Sequence, residues 1–189
     1  MSTNYELLED GTKLYSFKEF TKLLADAKQS KKRKVLISDL ILVLLYAHPE
    51  KPIFGRTMLI KQAFLLFEEV LSSAELEVQN PKFVPHNYGP YSFTVMQIVE
   101  DLWFSRCINV SGRKNSRKES FKLTKEGMNR AAEAFNKLNQ EVQQDIRNKR
   151  VGWDQLGTDG ILRYVYENYP DMKVNSKIKN RYEEIVWGN

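Results

Sequence analysis

Cysteine and histidine are scarce in this chain, and their scarcity excludes two classes of protein. The 189 residues include one cysteine, Cys107, and two histidines. An intrachain disulfide needs two cysteines, and a structural zinc site of the Cys/His type needs more ligands than this chain has. We therefore expect a cytoplasmic protein from a reducing compartment, with no metal and no cofactor.

Long apolar runs are lacking as well. The longest, Leu40–Ala47, is much shorter than the roughly 20 apolar residues that span a bilayer. Residues Met1–Asp10 are acidic and polar, whereas a secretory signal begins with basic residues and continues with an apolar run. The sequence therefore predicts no association with a membrane.

Glycine and proline are few, and hydrophobic residues make up 42% of the chain, which is enough for a folded core. Apolar residues at helical spacing predict a mainly α fold. We expect a winged helix-turn-helix core, made of a helical bundle and one small β-hairpin, with additional N- and C-terminal helices. Residues 1–34 are predicted as an N-terminal arm and helix. Residues 35–189 are predicted as the winged-helix domain with a C-terminal helical extension, and the whole chain as one compact unit.

Several predicted helices have recognisable ends. Ser16 and Glu19 form a capping-box pair, Thr57 and Thr124 are suited to the N-cap position, and Pro90 suits a first helical turn. The predicted helices cover residues 17–29, 35–48, 57–71, 90–104, 125–150 and 158–169, followed by a short one capped by Asn175 or Ser176.

Residues 86–123 carry the strongest indication of a particular fold. A turn at Gly89-Pro90 precedes a stretch of helical period that ends near Phe104. A short apolar run follows, then the polar segment Ser111–Lys118, here called the basic tip, and then a second short strand. This order of turn, helix, strand, charged loop and strand is typical of a winged helix, in which the helix enters a groove of DNA and the hairpin contacts phosphates.

Two clusters of cations could contact DNA phosphates, although the net charge of +5 only permits such binding. One lies in the basic tip and the other, at residues 31–34, could equally be a solvated linker. The first turns of the helix after Gly89-Pro90 offer hydrogen-bonding side chains, whereas Glu100 and Asp101 at its other end would repel phosphate. The predicted DNA-contacting residues are Tyr91, Ser92, Thr94, Gln97, Arg113, Lys114, Arg117, Lys118, Lys31, Lys32, Arg33 and Lys34.

These patterns predict a non-enzymatic protein that binds double-stranded DNA, either a transcriptional regulator or a regulator of a mobile element or defence system. A homodimer is expected, with the long helix from Lys125 as its interface. Two alternatives stay open: a protein-interaction module of adaptor or antitoxin type, and a metal-dependent nuclease assembled from scattered carboxylates. No phosphate-binding glycine loop or catalytic motif accompanies Cys107 or the two histidines.

Four short motifs resemble the YwgA-like family of small bacterial and archaeal proteins. Residues 55–66 resemble its GRT-x-L-x-K-x-x-FLL segment, and residues 83–92 contain its YGPYS sequence. Residues 123–127 match its LT-x-x-G, and residues 162–170 are similar to its late helix. The chain is more distantly similar to the Panacea domain of toxin–antitoxin systems. The resemblance implies a helical protein with a winged-helix core, and it does not imply an activity.

Overall fold

The computed structural model describes residues 6–7, 13–14, 16–19, 21–22, 34–74 and 76–177. Contacts along the chain divide it into two compact units, Met1–Arg33 and Lys34–Asn189. In the first unit, strands β1 (Glu6–Leu7) and β2 (Lys13–Leu14) pair antiparallel. Ser16 and Glu19 make the predicted capping pair, because the Ser16 hydroxyl donates to the Glu19 carboxylate at 2.7 Å and accepts the Glu19 N–H at 3.3 Å. Residues 17–19 and 21–22 of that predicted helix are helical, and its other residues, like residues 31–33, lie outside the described residues.

The second unit is mainly helical with small sheets, as the sequence predicts at this coarser level. One α-helix of ten residues, Arg56–Leu65, continues directly into a π-helical segment, Leu66–Leu71. The helices are α1 (Ile37–Tyr46), α2 (Arg56–Leu65), α3 (Phe93–Phe104), α4 (Lys125–Asn136) and α5 (Gln140–Asn168), followed by a short 3₁₀ helix, Pro170–Lys173. The strands are β3 (Lys34–Val35), β4 (Ile53–Phe54), β5 (Glu77–Val78), β6 (Val84–His86), β7 (Gly89–Tyr91), β8 (Ile108–Ser111) and β9 (Ser120–Leu123).

Three of these strands form one antiparallel sheet in the order β4-β9-β8. Strand β9 lies in the middle, with Phe121 opposite both Ile53 and Val110. Strands β6 and β7 form a separate hairpin in which Val84 pairs with Tyr91, and β3 pairs parallel with β5. The basic tip joins β8 to β9, so the predicted hairpin is present.

Helix α1 forms the centre of the core because it is apolar on nearly every side. All seven residues Ile37 and Leu40–Leu45 are buried. The first turn of α1 is closed by Asp39, whose carboxylate accepts the Leu36 N–H at 3.2 Å. Helix α1 packs against α4 and α3, which is the arrangement that a helix without a polar face requires. Within the described residues, no helix combines the length and the apolar character needed to cross a membrane.

Three predicted helix ends are wrong. Helix α3 starts at Phe93 rather than Pro90, because Pro90 lies in the β6–β7 hairpin and Ser92 is the N-cap. Helix α2 is capped by Gly55 and not by Thr57. The predicted helix over residues 125–150 is broken after Asn136, and α5 then continues to Asn168 across a kink at Gly157, whose φ is +64°. The short helix predicted at the C-terminus falls mainly on residues beyond Lys177, which are outside the described residues.

Candidate functional site: a cleft beside the basic tip

A cleft of 560 Å³ lies where separate parts of the second unit meet. It joins the start of α2, the β6–β7 hairpin, the basic tip and the part of α5 after its kink. The segments that resemble the YwgA-like family contribute most of its lining. The lining residues are Phe54–Thr57, Ile60, Lys61, His86–Gly89, Tyr91, Phe93, Asn115–Arg117, Thr158, Asp159 and Leu162.

Lys61 connects α2 to the hairpin beneath this cleft. Its side chain is only 2% exposed, and it stands in a stretch of α2, Met58–Leu65, in which every residue is buried. The ammonium group donates to the carbonyl of Pro90 at 2.7 Å. The neighbouring position requires glycine: the φ of Gly89 is +81°, and a Cβ there would lie 2.7 Å from the Tyr166 ring. Gly89 and Pro90, predicted as a structural turn before a helix, lie in strand β7 directly after the turn of the hairpin, and Lys61 contacts them there.

Burial lowers the pKa of Lys61 to about 7, from 10.5 for an exposed lysine. Between pH 7 and 10, the unfolded chain keeps this proton while the folded chain loses it. Unfolding then takes up a proton, so folding stability rises with pH by up to about 1.4 kcal/mol per unit from this one group. We therefore expect the free energy of unfolding of the unmutated protein to rise over this pH range relative to that of a Lys61→Met variant. Urea unfolding of both proteins at several pH values measures the difference. A difference between the two proteins that stays constant with pH would contradict the lowered pKa.

Three rings form an aromatic cluster along one side of the cleft. The ring centroids of His86 and Tyr91 are 5.0 Å apart at an interplanar angle of 33°, and those of Tyr91 and Phe93 are 5.0 Å apart at 73°. Phe93 is 65% exposed, because it is the first residue of α3 and points away from the core. The cluster therefore offers an aromatic surface that is open to a ligand, mainly through the exposed ring of Phe93.

Glu119 organises the basic tip from below. Its carboxylate is buried, accepts the Asn115 N–H at 2.7 Å and receives two bonds from the Arg56 guanidinium, at 2.9 and 3.0 Å. These side-chain bonds raise the pKa of Arg56 above its ordinary value. Because Arg56 opens α2, a single buried ion pair fixes the tip against the start of that helix.

The structure corrects the predicted role of Ser92. Its side chain is buried, its hydroxyl donates to the Pro81 carbonyl, and it accepts the Val95 N–H at 3.0 Å as the N-cap of α3. A hydroxyl with both of these partners is not free to contact DNA. Ser92 is therefore a structural cap, and the missed signal was its position one residue before a helical period.

The other predicted residues near α3 are accessible. Tyr91 and Thr94 are half-buried, with Tyr91 lining the cleft, and Gln97 is exposed. The Gln97 amide donates to Asp101 at 3.1 Å, which links it to the acidic end of the helix.

The four cations of the basic tip are exposed, but they differ in their surroundings. Lys114 forms an ion pair with Glu100 at 3.3 Å, and Arg117 lines the cleft. Arg113 and Lys118 have no ion pair among the described residues. Lys34, the described member of the second basic cluster, lies in β3 and pairs with Glu77 at 3.7 Å.

Sequence reasoning missed Lys61, Arg56 and Glu119 as members of one site. A lysine inside the largely apolar run of residues 58–66 was the available signal, since buried lysines are rare unless they are paired. Cys107 is buried, and within the described ranges no group of His, Cys, Asp and Glu could hold a metal ion. Comparisons of this chain with protein families, with curated protein sequences and with solved structures find no match.

Proposed function

We propose that this chain is a winged-helix protein that binds double-stranded DNA, with the basic tip as its wing. The order α1, β4, α2, α3, β8, β9 and the sheet order β4-β9-β8 support this arrangement, since they follow the helices, hairpin and short pairing strand of a winged helix. A regulatory role, in transcription or in a mobile element or defence system, is part of the same proposal.

The observation that carries the DNA proposal is the basic tip. Arg113, Arg117 and Lys118 are exposed on a loop that Glu119 holds in one conformation. Such a loop can neutralise phosphates with little ordering cost on binding. Helix α3 contributes less to DNA binding, because the acidic residues Glu100 and Asp101 lie toward its end. Lys114 of the tip is also less available, since it already forms an ion pair with Glu100. The contacts we propose are therefore mainly with the DNA backbone.

Replacing Arg113, Arg117 and Lys118 together with alanine should weaken binding to random duplex DNA. Each lost phosphate contact reduces the magnitude of the slope of log K against log salt by about 0.9, so the slope of the triple variant should be shallower by up to about 2.7. Fluorescence anisotropy across a salt series measures both affinity and slope. A triple variant of Lys51, Lys82 and Arg163, which are exposed elsewhere, removes the same charge and is the control. Equal losses of DNA affinity and of salt dependence in the two triple variants would contradict a specific role for the tip.

A second function, docking to another protein, is favoured by the far end of α3. Phe104 is 75% exposed and its ring lies 5.1 Å from that of Trp103, which is 48% exposed. Adjacent exposed rings are common among residues that anchor protein interfaces, and the acids Glu100 and Asp101 beside them suit a basic partner.

This second function predicts that a Phe104→Asp variant loses a partner that the parent retains. Immobilised parent and variant are exposed to the same lysate at about 0.15 M salt, and bound proteins are quantified by mass spectrometry. One stoichiometric protein, present with the parent and absent with the variant, would support docking. Retention of the same proteins by both would contradict it.

A further inference from the structure

The cleft beside the basic tip has the dimensions of a small-molecule site. Its 560 Å³ falls within the roughly 300–1,000 Å³ that such sites occupy in proteins. Its lining comes from α2, the β6–β7 hairpin, the tip and α5, and much of it is fixed by buried contacts. Lys61 ties the hairpin to α2, and the Arg56–Glu119 pair ties the tip to the same helix. A ligand would therefore enter a largely preformed site.

The aromatic cluster gives the cleft a surface for a planar ring. Tyr91 and Phe93 both line the cleft, and Phe93 exposes most of its ring. Stacking of a nucleobase on an aromatic side chain contributes about 1–3 kcal/mol. An aliphatic ligand would gain less from contact with an exposed ring face, so the lining favours an aromatic ring.

The charges in the lining favour an anion. Arg117 is the lining cation whose charge is available to a ligand, because Glu119 balances the Arg56 charge and Lys61, with a pKa of about 7, is only partly protonated at neutral pH. The lining contains a single acidic residue, Asp159. The first turn of α2 also borders the cleft and has no side-chain cap, so its end adds to the positive potential. The Arg117 guanidinium is exposed at the edge of the cleft, where it can form two parallel bonds to a phosphate.

We propose that the cleft binds a free mononucleotide, with the base against Tyr91 and Phe93 and the phosphate at Arg117 and the start of α2. Asn87 and Thr158, which also line the cleft, supply hydrogen-bonding groups for the sugar and the base. The assignment of this site does not depend on DNA binding. One consequence does rest on the proposed function: residues 115–117 belong to both the cleft and the basic tip, so a bound nucleotide would change the DNA affinity of the tip.

Isothermal titration with AMP, GMP, CMP and UMP tests the site, with the matching nucleosides and inorganic phosphate as separate probes. At least one nucleotide should bind with a Kd of roughly 10–100 µM, and its nucleoside and phosphate at least about tenfold more weakly. Arg117→Ala should weaken the nucleotide about tenfold and leave the nucleoside unchanged, whereas Phe93→Ala should weaken both. Both residues are exposed, and circular dichroism verifies that the variants remain folded.

Phe104→Ala and Arg163→Ala are the matched controls, since they remove an exposed ring and an exposed guanidinium outside the cleft. The proposal is overturned if no nucleotide binds at about 1 mM, if phosphate alone binds as tightly, or if neither cleft variant changes the affinity. If a 5′-phosphorylated dinucleotide binds more tightly than any mononucleotide, the ligand of the cleft is the 5′ end of a nucleic-acid strand, and the proposal of a free mononucleotide is overturned. If the unmutated protein binds a nucleotide but does not bind duplex DNA, the proposed function is refuted and the assignment of the cleft stands.

Discussion

Replacement of Gly127 by alanine should destabilise the protein more than the same replacement at any other glycine that the structure describes. A Cβ at this position would lie 1.7 Å from the carbonyl oxygen of Cys107. Real Cβ atoms do not approach other atoms so closely, and here the neighbour is backbone, so no side chain can rotate away. Helix α4 would have to move off strand β8. We expect a loss of about 4 kcal/mol or more, beyond the usual range for overpacked cores.

The close approach follows from the way α4 begins. Thr124 caps the helix by accepting the Gly127 N–H at 3.0 Å, and its own N–H donates to the Cys107 carbonyl at 3.0 Å. The same carbonyl therefore faces both the cap and the third residue of the helix. Any side chain at position 127 would break the join between β8 and α4, and with it the base of the hairpin.

Thermal unfolding followed by circular dichroism measures the effect, and the Tm should fall by about 10 °C or more. Gly152→Ala is the matched control, because Gly152 lies inside α5 and a Cβ there would meet nothing within 4 Å. That control should gain about 0.5–1 kcal/mol, since glycine is the poorer helix former. A Gly127→Ala protein with the Tm of the parent would show that β8 and α4 are not packed as described.

The sequence was sufficient for the elements that depend on local patterns. Helix α1 and the caps Ser16 and Thr124 follow from apolar spacing and from side chains suited to helix ends. The β8–β9 hairpin follows from two short apolar runs around the basic tip. Each of these features is encoded within a few neighbouring residues, and each is present.

The features that were missed depend on contacts between distant segments. The local pattern predicts a helix start at Gly89-Pro90, but the chain forms a hairpin there, and Lys61, twenty-nine residues earlier, donates to the Pro90 carbonyl. The cleft likewise requires α2, the tip and α5 to meet. A short window of sequence contains only one partner of such a contact, so periodicity alone could not assign it.

The buried cluster around Asp154 was missed for the same reason, and it leads to the second large effect. The Asp154 carboxylate accepts the His48 Nδ1–H at 2.9 Å and the Gln62 amide at 3.0 Å. It also pairs with the Arg150 guanidinium, which is completely buried and whose Nη2 donates to the Lys51 carbonyl at 3.1 Å. This carboxylate thus joins the end of α1, the middle of α2 and helix α5.

Asp154→Ala should cost about 3–5 kcal/mol, because it leaves the Arg150 charge buried without its counter-ion. Burial lowers the pKa of Arg150 to about 10, so the guanidinium remains charged at neutral pH and cannot escape the penalty by losing its proton. Urea unfolding at pH 7 measures the loss. Glu77→Ala is the control, since it breaks the Lys34–Glu77 pair, whose side chains are 60% and 58% exposed, and should cost less than about 1 kcal/mol.

A double variant separates the charge from the packing at this site. Replacing both members, as Arg150→Met with Asp154→Leu, removes the unpaired charge, and such exchanges of a buried pair for apolar residues are often neutral or stabilising. The double variant should therefore recover most of the stability that Asp154→Ala loses, although His48 and Gln62 lose their acceptor. If the double variant is as unstable as Asp154→Ala, the carboxylate stabilises the fold through those two hydrogen bonds and not by neutralising Arg150.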